Sequence, residues 1–194
     1  MDHGEARNIV SQTPTGECAM TPEEFQSLYP QVIGWIRHTL ASHAKNAKPV
    51  ASAGFLRLPR YFNQELLTST KYVAVGRAPT PPLSALGLKR FAAFEQGNYD
   101  GITYLDTIFL RKDRIADEEL YFHELIHVVQ WRLLGAERFL AAYADGLEKF
   151  GYRNSPLEAM AYNAQAAFTQ SAQTFDAEKL VADKLGERKS IRSG

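Results

Sequence analysis

The sequence predicts a single α+β domain, and three observations support that prediction. Residues 97–113 are rich in β-branched and aromatic side chains and follow a turn signal, which is typical of a strand or a hairpin. From Asp117 onward, helical periodicity dominates almost to the end of the chain. A length of 194 residues is enough for one domain with its own core. We therefore expect a small sheet packed on a helix that carries the site, with further C-terminal helices.

The two ends of the chain differ in composition from its middle. Residues 1–20 are polar and predict a flexible leader, and residues 186–194 predict a flexible tail. Residues 21–185 are predicted to form the domain, with N-terminal helices and strands over 21–95 and the core of the site over 96–175.

Charge and hydropathy narrow the possible partners. The chain has 22 Lys and Arg against 22 Asp and Glu, so no net field favours nucleic acid or an anionic membrane. The apolar runs are shorter than the roughly 18 residues that a membrane span needs. A cytoplasmic protein with neither nucleic acid nor membrane as a partner is expected. Cys18 is the only cysteine, which excludes an intramolecular disulfide or a multi-cysteine zinc site.

The first predicted helix begins at a clear capping signal. Thr21 is a good N-cap, Pro22 suits the first helical position, and Glu23 favours the first turn. Pro30 is expected to break or kink this helix, leaving a second helical piece over about 31–45.

Short strands are predicted in the region that follows. Residues 52–62 and 71–77 are rich in apolar side chains and bounded by turn formers, so both are interpreted as strands. The proline-rich residues 78–91 are interpreted as a rigid connection. Residues 97–113 form one long strand or a hairpin bent near Asp106.

The stretch "YFHELIHVVQW", residues 121–131, carries the most informative motif. A helix turns about 100° per residue, so His123 and His127 lie about 40° apart on one face. Glu124 and Gln130 continue this narrow polar stripe, and the rest of the surface is apolar. Such a helix must be buried, and a divalent cation would satisfy imidazoles held in an apolar interior.

The spacing of these residues fits metal-assisted hydrolysis. In this interpretation His123 and His127 bind zinc, which activates a water, and Glu124 acts as the general base. The alternative is a structural helix whose histidines are satisfied by neighbouring side chains.

Two histidines leave the metal in need of a third protein ligand, and Glu158 is the leading candidate. It begins a helix rich in alanine, whose small side chains allow close approach to another helix. A competing interpretation makes Ser155, Pro156 and Glu158 a capping box, in which the glutamate only begins its own helix. The fallback ligands are Glu137, Asp145 and Glu148.

Other polar side chains could support the site. Tyr152 and Tyr162 could donate to an oxyanion, although a core or surface position is the commoner fate of a tyrosine. Gln130, Glu119 and Tyr162 are candidates for holding the imidazoles in one tautomer.

The motif "HELIHVVQW", with "GITYLDTIFLR" before it and "NSPLEAMAY" after it, resembles the zincin-like metallopeptidases of the gluzincin kind. The nearest likeness is to small bacterial domains of unknown function that carry HExxHVxQ, and it covers about residues 97–168. The resemblance implies a minimal zincin-like fold with Zn²⁺ at His123, His127 and Glu158.

The same resemblance implies catalysis by Glu124 and an edge strand within 102–110 that pairs with an extended peptide. The sequence departs from the thermolysin-like branch, because no aspartate shortly after Glu158 is available to support a ligand histidine. It also has neither the third histidine nor the methionine turn of the metzincins.

The expected function is that of a zinc-dependent hydrolase, most simply a metallopeptidase acting on a peptide or protein substrate. One alternative is a non-catalytic module of the same fold that binds a protein partner. Another is a zinc hydrolase that acts on a non-peptide amide or ester.

Overall fold

The computed structural model describes residues 20–171 and 173–192 and confirms the α+β class. The helices are α1 (Pro22–His43), α2 (Gln64–Ser69), α3 (Ala92–Glu95), α4 (Glu118–Leu134), α5 (Ala136–Asn154), α6 (Pro156–Gln170) and α7 (Ala177–Arg192). The strands are β1 (Lys48–Pro49), β2 (Lys71–Val75), β3 (Gly101–Tyr104) and β4 (Thr107–Arg111). Within the described ranges, no helix is both long and apolar enough to cross a membrane.

The four strands form one mixed sheet in the order β1-β2-β4-β3. β1 is antiparallel to β2, β2 is parallel to β4, and β3 is antiparallel to β4. β3 and β4 are the two arms of the predicted hairpin, which turns at Leu105 and Asp106. The expectation of an edge strand over 102–110 is only partly right. Of the two strands in this range, β3 lies at an edge of the sheet, whereas β4 lies between β2 and β3.

Two local predictions differ from the structure for identifiable reasons. The predicted break at Pro30 is wrong, because α1 continues through it as one helix; Pro30 is exposed, so the carbonyl that loses its hydrogen bond can face solvent. Residues 52–62 form turns of 3₁₀ helix in place of a strand. The buried side chains there, Leu58, Tyr61 and Phe62, recur at the three- and four-residue spacing of a helical turn.

The ends of the chain are described only in part. The predicted leader, apart from Met20, and Cys18 with it lie outside the described residues. α7 extends to Arg192, so helical backbone runs through most of the segment 186–194 that was predicted to be a tail.

α4 lies at the centre of the main core. All eleven residues from Tyr121 to Trp131 are buried, as the apolar body of this helix requires. One side of α4 packs on β3 and β4, and α6 and α7 cover other sides. Its polar stripe therefore lies inside the protein, where each polar atom needs a partner.

Candidate metal centre

The position of α4 is fixed at both ends and in the middle. The Asp117 side chain caps its start by accepting a hydrogen bond from the Leu120 amide at 3.0 Å. Gly135 terminates it with a φ of 74°, which favours glycine. Near its end, the Trp131 indole donates to the Thr103 carbonyl on β3 at 3.1 Å. The histidines between these points are thereby held at a fixed height above the sheet.

α6 brings the acidic residue to the histidines. Its small side chains Ala161 and Ala164 are buried, which lets α6 lie close to its neighbours. The Gln130 amide on α4 also donates to the Leu157 carbonyl in the first turn of α6, at 3.0 Å. This bond fixes the register at which Glu158, the next residue, faces α4.

His123, His127 and Glu158 converge on one point and are all buried. The two Nε2 atoms of the imidazoles are 3.2 Å apart. His123 Nε2 lies 3.4 Å from Glu158 Oε2, and His127 Nε2 lies 3.4 Å from Glu158 Oε1. These side chains could hold a metal ion.

The structure separates the two interpretations of Glu158. In a capping box its carboxylate would accept a hydrogen bond from the Ser155 amide. That amide instead donates to the Tyr152 carbonyl at 3.2 Å, and the Glu158 carboxylate points at the imidazoles. Ser155 does sit at the N-cap, but its side chain makes no capping hydrogen bond.

Two glutamines orient the imidazoles. His127 Nδ1 lies 2.8 Å from Gln130 Oε1, and His123 Nδ1 lies 3.1 Å from Gln165 Oε1. An amide oxygen only accepts, so each Nδ1 carries the proton and donates it. In its neutral form, each ring with this proton would present its Nε2 lone pair to the convergence point, which is the tautomer that binds a metal ion through Nε2.

The donor atoms lie close enough together to share one ion, because one atom from each residue lies within 4.8 Å of the other two. With bonds of about 2.1 Å, tetrahedral ligand atoms lie roughly 3.4 Å apart. The two Nε2 atoms are 3.2 Å apart, and each lies 3.4 Å from a different oxygen of the Glu158 carboxylate. Glu158 Oε2 is buried and accepts no hydrogen bond from any group in the described ranges. A cation would satisfy this oxygen and separate two imidazole lone pairs that otherwise face each other.

Protonation of an imidazole can supply part of the positive charge that a cation would bring to Glu158. Burial alone would lower the pKa of His127, but the nearby Glu158 carboxylate outweighs it and raises that pKa to about 9. Burial likewise disfavours the charged form of Glu158, yet His127 and His123 hold the pKa of its carboxyl well below the ordinary value. The pocket thus favours a positive charge beside an ionised Glu158.

Glu124 is buried but directed elsewhere. Its Oε2 accepts a hydrogen bond from the Thr103 hydroxyl on β3 at 2.7 Å. Its Oε1 lies against Gly101, where an added Cβ would be only 2.6 Å away. Burial raises the pKa of the Glu124 carboxyl, against the lowering effect of His123 and His127. Glu124 therefore lies beside the candidate metal centre and is not among the residues that could hold the ion.

Tyrosines surround Glu158. The Tyr143 hydroxyl on α5 donates to Glu158 Oε1 at 2.7 Å. Tyr152 follows a break in α5 at Gly151, whose φ of 70° favours glycine, and its ring lies 5.0 Å from that of Tyr99. Burial and then the Glu158 carboxylate raise the pKa of Tyr152, so its hydroxyl keeps its proton. The Tyr162 ring lies 4.6 Å from that of His123.

The fallback ligands interact with residues outside the candidate metal centre. Glu137 accepts from the Gln26 amide, Asp145 pairs with Lys149, and Glu148 pairs with Arg90. Glu119, a candidate for supporting an imidazole, is half-buried in the first turn of α4 and makes none of the hydrogen bonds to the two rings described above.

Three supporting residues were not predicted in that role. The sequence places Gln165 on the helical face of Glu158, seven residues or two turns later, but its contact with His123 was not predicted. Thr103 and Tyr143 gave no signal, because their contacts depend on how β3 and α5 pack against the histidine helix.

A cavity of about 110 Å³ adjoins the centre. Glu124, His127 and Glu158 line one part of it, together with Tyr143 and Tyr152. The remaining lining comes mainly from apolar side chains of α1, of residues 81–94 and of α5. A molecule in this cavity would contact both the carboxylate of Glu124 and the candidate ligands.

Comparison of the chain with protein-family models, with curated proteins and with solved structures finds no match. The resemblance to zincin-like metallopeptidases therefore remains a prediction from the motif. The convergence of His123, His127 and Glu158 is an independent observation on the structure.

Proposed function

We propose that this protein is a zinc-dependent hydrolase that cleaves peptide bonds. The observation that carries the proposal is the convergence of two imidazole nitrogens and one carboxylate oxygen within 4.8 Å of one another, with both imidazoles oriented by glutamines. Two histidines and one glutamate, with a fourth position left open, form a donor set typical of catalytic zinc.

Each residue has a distinct part in the proposed reaction. His123, His127 and Glu158 would hold zinc, which when bound lowers the pKa of a water and polarises the carbonyl under attack. Glu124 takes the proton from the attacking water and passes it to the leaving nitrogen. Tyr152, whose ring lines the same cavity, donates a hydrogen bond to the developing oxyanion.

The sheet edge supports a peptide as the substrate. β3 is an edge strand, and its residues Gly101 and Thr103 contact the Glu124 carboxylate. An extended peptide that pairs with β3 at Gly101 would lie beside Glu124 and draw its affinity mainly from main-chain hydrogen bonds, while the Thr103 carbonyl keeps its hydrogen bond from the Trp131 indole.

Zinc content and turnover test the proposal together. Protein purified without a histidine tag is expected to contain or take up one zinc ion per chain and to cleave members of a peptide library. Glu124→Gln is nearly isosteric but cannot accept the proton, so it should keep the zinc and lose about 10²- to 10⁴-fold in kcat.

The outcomes separate the alternatives. If Glu124→Gln cleaves as fast as the parent, Glu124 is not the base. Bound zinc with no turnover on any peptide would instead favour a non-catalytic module that binds a protein partner. Absence of zinc uptake would overturn the metal centre itself.

A further inference from the structure

Arg153 is a charged residue beside the metal centre that the proposed reaction does not use. It lies in the last turn of α5, directly after Tyr152, which lines the cavity. Its guanidinium carbon lies over the Tyr162 ring, 4.7 Å from the ring centre. The Tyr162 ring lies 4.6 Å from that of His123. The guanidinium carbon is therefore at most about 9.3 Å, the sum of these two distances, from the His123 ring.

Arg153 also differs from other arginines in its partners. Arg90, Arg111 and Arg114 each pair with two carboxylates. Among the side chains that the structure describes, no carboxylate forms an ion pair with Arg153, which is exposed and contacts the face of Tyr162. A contact with a ring face uses none of the N–H donors in the guanidinium plane. These donors can therefore bind an acceptor from outside the chain.

The charge balance of the loaded site leaves the charge of Arg153 uncompensated. With Zn²⁺ held by two neutral imidazoles and Glu158, and with Glu124 in the form that accepts a proton, the ion and the two carboxylates cancel in charge. Arg153 adds one positive charge next to this neutral set. A substrate with a negative group near the cleaved bond would complement that charge.

A carboxylate is the anion that an ordinary peptide can offer to this arginine. The planar guanidinium can donate two parallel hydrogen bonds to the two oxygens of a carboxylate. An extended peptide advances about 3.3–3.6 Å per residue. Because the guanidinium carbon is at most about 9.3 Å from the His123 ring, the carboxylate would lie within about three residues of the cleaved bond.

We propose that Arg153 binds a carboxylate of the peptide substrate, within about three residues of the bond that is cleaved. This inference rests on the proposed function and deepens it by naming a substrate class. The class consists of peptides with an acidic side chain or a free C-terminus near that bond. Arg153 is thus a specificity-determining residue, and the observation that carries it is a cation without a counter-ion held over a ring that contacts His123.

Arg138 provides a matched control on the same helix. It is exposed, and it lies fifteen residues before Arg153, which is roughly 20 Å along a helix axis. Its guanidinium donates to the Leu134 carbonyl. Neither arginine is a candidate ligand or lines the cavity. Arg138→Gln and Arg153→Gln therefore remove the same charge, one far from the centre and one beside it.

Binding of labelled peptides to a chain that does not cleave them tests the inference. The zinc-loaded full chain with Glu124→Gln is titrated by fluorescence anisotropy with a short neutral peptide whose C-terminus is amidated. A second peptide has the same sequence with a free C-terminus. A third series is amidated and carries one glutamate in place of a glutamine, moved along the sequence one position at a time. A carboxylate in the right place should strengthen binding about fivefold, as expected for a partly exposed ion pair.

The arginine variants, made in the same chain, should separate recognition from stability. Arg153→Gln should reduce the preference for a carboxylate to less than about twofold and leave binding of the neutral peptide unchanged. Arg138→Gln should keep the preference. Equal weakening of neutral and acidic peptides by Arg153→Gln would show that this arginine only supports the junction of α5 and α6, and would overturn the inference.

The two peptide series identify the source of the carboxylate. Tighter binding of the free C-terminus identifies the terminal carboxylate, and tighter binding at one or two glutamate positions identifies an acidic side chain. Either result supports the inference if it depends on Arg153. No preference in either series overturns it, and so does a preference that is equal at every glutamate position, because a fixed cation selects a fixed distance.

Failure of this inference and failure of the proposed function give different results. A carboxylate preference that depends on Arg153, without cleavage of any peptide by the parent chain, supports the inference and overturns the hydrolase. Cleavage of neutral and acidic peptides with equal kcat/KM supports the hydrolase and overturns the inference. A chain that takes up no zinc and binds no peptide overturns both.

Discussion

The site holds two buried carboxylates with different neighbours. Glu158 lies on the side formed by α6, and Glu124 points to the side formed by β3. Glu158 on α6 faces two imidazoles and has one oxygen without a hydrogen bond from the described residues. The Glu124 side chain on α4 points towards β3, where the Thr103 hydroxyl donates a hydrogen bond to it and Gly101 lies against it. Burial acts on both, yet the pKa of Glu158 is lowered by the imidazoles and that of Glu124 is raised.

The difference fits the two roles that we propose for these carboxylates, metal ligand for Glu158 and general base for Glu124. A ligand carboxylate must stay ionised, and the imidazoles keep Glu158 in that form. A general base must accept a proton and release it, and desolvation makes the protonated form of Glu124 easier to reach. Substitutions on the α6 side should therefore change metal affinity, and substitutions on the β3 side should change turnover.

The largest effect on zinc affinity is expected from Glu158→Gln, which replaces a charged oxygen donor with a neutral amide. Structural zinc sites in small peptides bind the ion with about 10–16 kcal/mol, which several ligands share. Loss of one charged ligand should therefore lower the zinc affinity on the order of a thousandfold. Competition with a chromophoric chelator measures this loss. Glu119→Gln is the control, because it makes the same change in the first turn of α4, outside the group of candidate ligands, and should leave the affinity as it is.

On the β3 side, Gly101→Ala should reduce turnover and spare the metal. The added Cβ would lie 2.6 Å from Glu124 Oε1, so the carboxylate must move. A displacement near 1 Å can cost about a hundredfold in rate, and we expect a loss of that order in kcat/KM with unchanged zinc affinity. If zinc affinity fell by the same factor as kcat/KM, metal binding and turnover would not depend on separate sides of the site.

The contrast between the two sides also explains what the sequence could predict. His123, Glu124 and His127 lie on one helix, so fixed helical angles place them relative to one another. The burial of this helix followed from its wide apolar body. Glu158 could be nominated from the alanine-rich helix around it, but only tertiary packing decides whether it caps α6 or faces α4.

Regions without strong periodicity were harder to predict. Residues 52–62 contain strand-forming side chains, but their buried positions follow helical turns. Tyr143 and Thr103 contact the two carboxylates from elements that are remote in sequence, and a single chain carries no local signal for such contacts.

A smaller effect is expected from Gln165→Leu, which removes the acceptor for the His123 Nδ1 proton. The imidazole would lose its fixed tautomer and orientation, and zinc affinity should fall about 10- to 100-fold. Gln170→Leu makes the same change at an exposed position near the end of α6 and should have no effect. Equal losses in the two variants would show that Gln165 acts only through helix stability.

The smallest effect is expected from Tyr143→Phe, because this change removes one hydrogen bond and replaces none of the candidate ligand residues. The Tyr143 hydroxyl donates to Glu158 Oε1, the oxygen that also lies 3.4 Å from His127 Nε2. Without that donor the carboxylate can rotate away from the imidazoles, and zinc affinity should fall about tenfold. Tyr99→Phe is the control, since Tyr99 lines the same cavity but donates to the Phe94 carbonyl. If both variants lose zinc equally, the effect comes from packing of the tyrosines, and if only Tyr143→Phe does, the hydrogen bond to Glu158 positions the ligand.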